Sequence, residues 1–85
     1  MKTFTYVITD ELGIHARPAG LLTKEVKKYE SKITIGLGDK TAPAKAIMSV
    51  MALGVEKGSE VTVSAEGSEE EIAIEGIKPF FEANL

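Results

Sequence analysis

One histidine occurs in the chain, His15, and it stands in the string Gly13-Ile14-His15-Ala16-Arg17-Pro18-Ala19. A neutral imidazole is a nucleophile that works near physiological pH. The residues after it have the spacing of an amphipathic helix: Ala19, Leu22, Val26 and Tyr29 fall on one stripe, with Arg17, Gly20, Lys24, Lys27 and Lys28 on the opposite side. Pro18 is tolerated in the first turn, where an N–H would have no intrahelical partner. The pattern therefore predicts a helix from about Ala16 to Tyr29 with His15 as its N-cap. The free N–H groups of Ala16 and Arg17 and the helix dipole make such a start an anion site, and the Arg17 side chain adds a charge-assisted donor. The same positive field favours the neutral imidazole over the imidazolium and then stabilises a dianionic phosphoryl group attached to it. Such an arrangement needs no acid, base or metal of its own if partner enzymes supply the rest.

Other chemistries are poorly served. The chain has no Cys, so it offers neither a disulfide framework nor a thiolate metal set, and a lone His argues against zinc. No metal or cofactor is expected. The absence of Cys suits a reducing compartment, and no apolar run reaches signal-peptide length, so a cytoplasmic monomer with no membrane insertion is expected. With 85 residues, 44% apolar and 27% charged, one domain with a modest two-layer core is the working assumption. The net charge of −3 conceals an asymmetry: seven basic residues against three acidic ones between His15 and Lys45, then seven Glu against Lys78 alone from Glu60 onward. The overall charge disfavours general nucleic-acid binding, while the basic half can meet an acidic protein surface. An open sheet that bound nucleic acid would also want aromatic platforms, and the strands offer mostly Thr, Lys and Glu.

The elements that must hold His15 can be read from periodicity. Segment 3–9 alternates Phe4, Tyr6 and Ile8 against Thr3, Thr5, Val7 and Thr9, a half-buried strand. Segment 32–37 alternates likewise through Ile33, Ile35 and Leu37, and Gly38-Asp39 then supplies a tight turn into a short strand near 40–44. Pro43 cannot donate to a ladder, which puts that strand at a sheet edge. Segment 60–66 is a fourth strand, with Val61, Val63 and Ala65 on one face. A second helix over about 46–53 has too wide an apolar arc: Val50 and Leu53 lie on one side, Ile47, Met48 and Met51 on another, so one side stays exposed. A third helix is predicted to open with Ser68 as N-cap and Glu71 completing a capping box, Glu69 and Glu70 complementing the dipole. Gly76 and Pro79 weaken its second half, so a kink or break is expected near Lys78. The order β-α-β-β-α-β-α implies an α+β fold, a four-stranded antiparallel sheet with three helices on one face. Gly36-Leu37-Gly38 precedes a turn and a strand rather than a helix, and is hairpin chemistry rather than a phosphate loop.

The string from Gly13 to Ala19 resembles the phosphorylation-site signature of HPr proteins, the histidine phosphocarriers of the bacterial sugar phosphotransferase system. Ile47-Met48-Ser49-Val50-Met51-Ala52-Leu53-Gly54-Val55 resembles their second helix, and the element order matches over essentially the whole chain. The resemblance implies an open-faced β-sandwich of HPr type. It also implies that His15 accepts a phosphoryl group on Nδ1 from enzyme I and passes it to IIA domains of sugar permeases, a carrier rather than an enzyme. By the same resemblance Arg17 steadies the phosphoryl group, and Gly20, Leu21, Lys24 and Lys27 of the first helix form a docking surface with Ile47, Met48 and Met51. A regulatory binding module of the same fold is the rival reading; His15 and Arg17 favour the carrier. One position departs from the pattern. Many HPr proteins of Gram-positive type begin the second helix with a regulatory serine, and here Ala46 holds that place, which is also about 1 kcal/mol poorer as an N-cap than Ser.

Overall fold

The computed structural model describes residues 1–85 and places seven elements in the predicted order: β1 Lys2–Val7, α1 Ala16–Val26, β2 Ser31–Leu37, β3 Lys40–Pro43, α2 Ile47–Ala52, β4 Glu60–Gly67 and α3 Glu70–Asn84. The strands form one antiparallel sheet in the order β1-β4-β2-β3, so Pro43 does lie on an edge strand. Register sets Phe4 opposite Val63 and Tyr6 opposite Val61, and Ile33 and Ile35 opposite Ala65 and Val63. One sheet face is therefore apolar, as the period-two pattern requires. The helices cover that face, and Thr3, Thr5 and Thr62 of the other remain exposed.

Phe81 of α3 is fully buried and meets Phe4, Tyr6 and Phe80 edge-on, with ring centroids 5.6, 5.6 and 6.1 Å away. Burying one such side chain stabilises by roughly 2 kcal/mol. Around it Leu22 and Val26 of α1, Val50 of α2 and Ala73 and Ile77 of α3 close over Val61, Val63 and Ile35. Thr23 is the one buried polar residue; its Oγ1 donates to the Ala19 carbonyl at 3.0 Å, with the Ala44 carbonyl 3.4 Å away.

The structure corrects four expectations. First, β1 stops at Val7 rather than at residue 9, because the N–H groups of Thr9 and Asp10 leave the sheet to donate to the main-chain oxygen of Leu85, at 2.6 and 2.9 Å. Second, α1 ends at Val26 rather than Tyr29. The chain tightens there into i→i−3 bonds from Lys28 to Glu25 and from Tyr29 to Val26, and Tyr29 is only half buried. Third, no capping box forms at α3. Ser68 Oγ donates instead to the Glu30 carbonyl at 3.2 Å, and Glu69 takes the N-cap position while its carboxylate accepts from the Glu30 N–H at 2.7 Å. Contacts to the segment after α1 thus displace the local motif, although Glu70 and Glu71 do fill the first turn.

Fourth, α3 runs unbroken through Pro79. Glu75, whose carbonyl loses its partner at Pro79, and Pro79 itself both face solvent, so water can satisfy that carbonyl. Ile77 and Phe81 anchor the two halves to the sheet. Gly76 likewise serves the packing. A Cβ there would lie 1.8 Å from the Tyr29 hydroxyl, which donates to Glu25 Oε2 at 3.0 Å. Burial, and then the Glu25 carboxylate, push the Tyr29 phenol up, so it remains a donor.

Gly76→Ala is therefore expected to destabilise the protein by about 1 kcal/mol, although Ala in a helix is otherwise about 1 kcal/mol better than Gly. In a Tyr29→Ala background the same substitution should stabilise. Chemical denaturation of the four proteins of this cycle checks it, and an unchanged sign in the two backgrounds would refute the close-approach account.

Candidate functional site

His15 is the N-cap of α1, as its sequence context requires, with extended backbone (φ −102°, ψ −172°). Its carbonyl accepts the first helical bond, from the Ala19 N–H at 3.0 Å. Pro18 stands at the third helical position and has no donor, so the N–H groups of His15, Ala16 and Arg17 are left free at this helix start. No side chain caps them. The turn leading in is held by main-chain bonds, Gly13 N–H to the Asp10 carbonyl at 3.0 Å and Ile14 N–H to the Val55 carbonyl at 3.3 Å. Gly13 has φ +65°, and a Cβ on it would lie 2.1 Å from the Val55 oxygen. Only glycine fits there.

His15 and Arg17 line a shallow cleft of about 210 Å³ with Asp10, Pro18, Leu21, Ala83 and Asn84. The cleft is open to solvent and large enough for a phosphoryl group. The Arg17 side chain is exposed and makes no ion pair or hydrogen bond, so its donors are available to an anion. Neither ring nitrogen of His15 takes part in a hydrogen bond. Nε2 lies 3.8 Å from Asp10 Oδ1, beyond hydrogen-bond distance, with about a third of each side chain exposed. No three side chains of metal-binding type converge here or elsewhere.

The residues singled out for docking fall on two adjoining helices. Lys24 and Lys27 are exposed on or just after α1, Gly20 is half buried, and Leu21 is 39% exposed at the rim of the cleft. On α2, Val50 is buried and Leu53 just beyond its end is too, whereas Ile47, Met48 and Met51 are 38, 78 and 37% exposed. The helix thus turns its excess apolar arc outward, and α1 and α2 pack together. Ala46 is the N-cap of α2 and gives it no side-chain cap.

Besides Ala83, two cleft residues are not foreseen from the sequence. Asn84 comes from the far end of the chain, and nothing local announces it. Asp10 did carry a signal, since its Oδ1 accepts from the Leu12 N–H at 2.9 Å in an Asx turn, a habit of Asp two residues before such a donor. That turn aims the carboxylate at His15.

Comparison with known proteins agrees with this geometry. Residues 2–83 match the family described as PTS HPr component phosphorylation site. The chain is 45% identical over 78 residues to phosphocarrier protein HPr of Mycoplasma capricolum, covering 92% of this chain and 88% of that protein. It superposes with a TM-score of 0.92 on HPr of Thermoanaerobacter tengcongensis, at 41% identity, over 98% of this chain and 93% of that one. The histidine-containing phosphocarrier protein of Mycoplasma gives a TM-score of 0.89 at 43% identity, over 93% and 90% of the two chains. A sheet of four antiparallel strands under three helices, with a histidine at the first helix start and a family match over nearly its whole length, belongs to the HPr phosphocarriers of the phosphotransferase system, which carry rather than catalyse.

Proposed function

We propose that His15 accepts a phosphoryl group from enzyme I and passes it to IIA domains of sugar permeases, in the cytoplasm and as a monomer. The observation that carries this reading is the placement of a solvent-accessible imidazole at a helix N-cap, beside free main-chain N–H groups and an unpaired Arg17. A dianion attached there meets donors and the positive helix end at once. The partners supply the remaining groups, as suits a cleft too small and open to enclose a reaction. No helix of the structure is long and apolar enough to cross a membrane.

Incubation with phosphoenolpyruvate and enzyme I should add one phosphoryl group to the intact mass, labile in acid and stable in base. His15→Ala should abolish the gain, and a phosphorylated His15→Ala protein would remove the assignment.

The shared docking surface is proposed to be the basic face of α1 and the outward arc of α2. Met48, the most exposed of these apolar residues, is an anchor for binding rather than for folding. Met48→Asp should weaken binding to enzyme I or a IIA domain by about tenfold or more, with the thermal unfolding midpoint nearly unchanged; both quantities can be read by calorimetry. A large loss of stability at unchanged affinity would show that Met48 serves the fold.

Ala46 offers no hydroxyl to a kinase. An ATP-dependent HPr kinase is therefore expected to leave the parent protein unmodified, whereas Ala46→Ser should restore a modification site and stabilise the helix start by about 1 kcal/mol. Peptide mass spectrometry after treatment with kinase and ATP distinguishes the two proteins. Stoichiometric phosphate on the exposed Ser49 of the parent would show that the modification had moved along α2.

A further inference from the structure

We infer that Asp10 is a positioning residue for His15: its carboxylate keeps the ring proton on Nε2 and thereby leaves the lone pair on Nδ1 for phosphorus. The inference rests on the proposed function, because it concerns how His15 presents its nucleophile. A neutral imidazole has one N–H, and the nitrogen that carries it cannot attack. A free neutral histidine already favours the Nε2–H tautomer modestly, and a carboxylate beside Nε2 strengthens the preference for the N–H on that side.

Asp10 is the only acidic side chain lining the cleft, and its Oδ1 faces Nε2 at 3.8 Å. The surrounding turn fixes it. Its N–H donates to the Leu85 oxygen at 2.9 Å, its carbonyl accepts from Gly13, and Oδ1 itself accepts from the Leu12 N–H. These bonds commit the polar groups of a loop residue to its orientation. The positive charge of Arg17 belongs to the same cleft and suits the phosphoryl oxygens, so the two charged side chains divide the work by sign.

The transfer balances without a proton leaving the ring. The Nδ1 lone pair forms the N–P bond, the bond between phosphorus and the donor enzyme breaks, and that pair stays with the donor atom. The ring then bears a positive charge with its proton still on Nε2, facing the Asp10 carboxylate. On transfer to the acceptor the N–P pair returns to Nδ1 and the charge is lost. A carboxylate at this distance stabilises the charged form in both directions.

Asp10→Asn keeps the acceptor for the Leu12 N–H, and so the turn, while it removes the charge. Asp10→Glu keeps the charge. In long-range proton–nitrogen NMR at a pH where the ring is neutral, the parent should show mainly the Nε2–H tautomer, and Asp10→Asn should lower that preference about tenfold. The initial rate of phosphoryl gain from phosphorylated enzyme I should fall by about the same factor in Asp10→Asn, with partial recovery in Asp10→Glu and unfolding midpoints unchanged. Parent and Asp10→Asn proteins with equal tautomer ratios would overturn the inference, as would equal rates. A parent that takes up no phosphoryl group would defeat the proposed function instead, and the tautomer ratio would still decide the part played by Asp10.

Discussion

The site depends on how closely Gly13 passes the main chain at Val55. The two backbones approach until no side chain fits between them, and the Ile14 N–H bonds the Val55 carbonyl across the gap. Ile14 and Val55 are themselves buried, so this contact belongs to the core as much as to the loop. A methyl group at residue 13 would lift the turn off Val55, and His15, two residues on, would leave the N-cap geometry that frees the Ala16 and Arg17 N–H groups. The imidazole of His15 is therefore held by the packing of a glycine rather than by any bond to its own ring. The Leu85 oxygen reinforces the other end of the same turn, accepting from the Thr9 and Asp10 N–H groups and from Thr9 Oγ1.

The same few residues carry both fold and site. Along α1, Pro18, Ala19, Leu22, Thr23 and Val26 are buried, whereas Arg17, Leu21 and Lys24 are exposed between them. Burial of one stripe fixes the rotation of the helix, and that rotation fixes where the exposed stripe points. On α2 the same logic applies in six residues, too short to be stable alone, so Val50 and the neighbouring Leu53 must hold it while Ile47, Met48 and Met51 stay outside. Met48 is largely exposed and adds little to folding, whereas Ile47 and Met51 are partly covered, and the contact of α2 with α1 brings the two exposed faces together.

Most of the fold was legible because it is written in local periodicity. Phe4, Tyr6, Val61, Val63, Ile33 and Ile35 alternate strictly, and their strands appeared within two residues of the expected bounds at every end. What failed were inferences from local signals that a distant partner overruled. Ser68 has the sequence of a cap, yet Glu30, thirty-eight residues away, takes its hydroxyl. Gly76 and Pro79 look like helix breakers, yet the first makes room for Tyr29 and the second faces water. In the site, His15 and Arg17 announced themselves by their place before an amphipathic stripe. Asn84 did not, because it reaches the cleft from the far end of α3, and Asp10 offered only the turn-forming habit of Asp, since no periodicity relates either to His15.

The distribution of ion pairs bears on how partners would find this face. Glu70 pairs with the Met1 ammonium at 2.7 Å, Glu25 with Lys28 at 2.9 Å and Glu11 with Lys57 at 2.8 Å. The hydrogen bond from that ammonium is the largest influence holding the Glu70 carboxyl below the usual carboxylate range. Arg17, Lys24 and Lys27 have no such partners. Exposed pairs add little to stability, about 0–1 kcal/mol each, so pairing these three cations within the molecule would stabilise it only slightly. Left unpaired, they give the face around His15 a positive potential on a molecule whose net charge is −3. A potential of that kind speeds and orients encounter with an acidic surface more than it strengthens the final complex. On the proposed function, a carrier must also leave each partner after transfer, and a face combining steering charge with a small apolar anchor would meet both demands: fast arrival, and a contact weak enough to break.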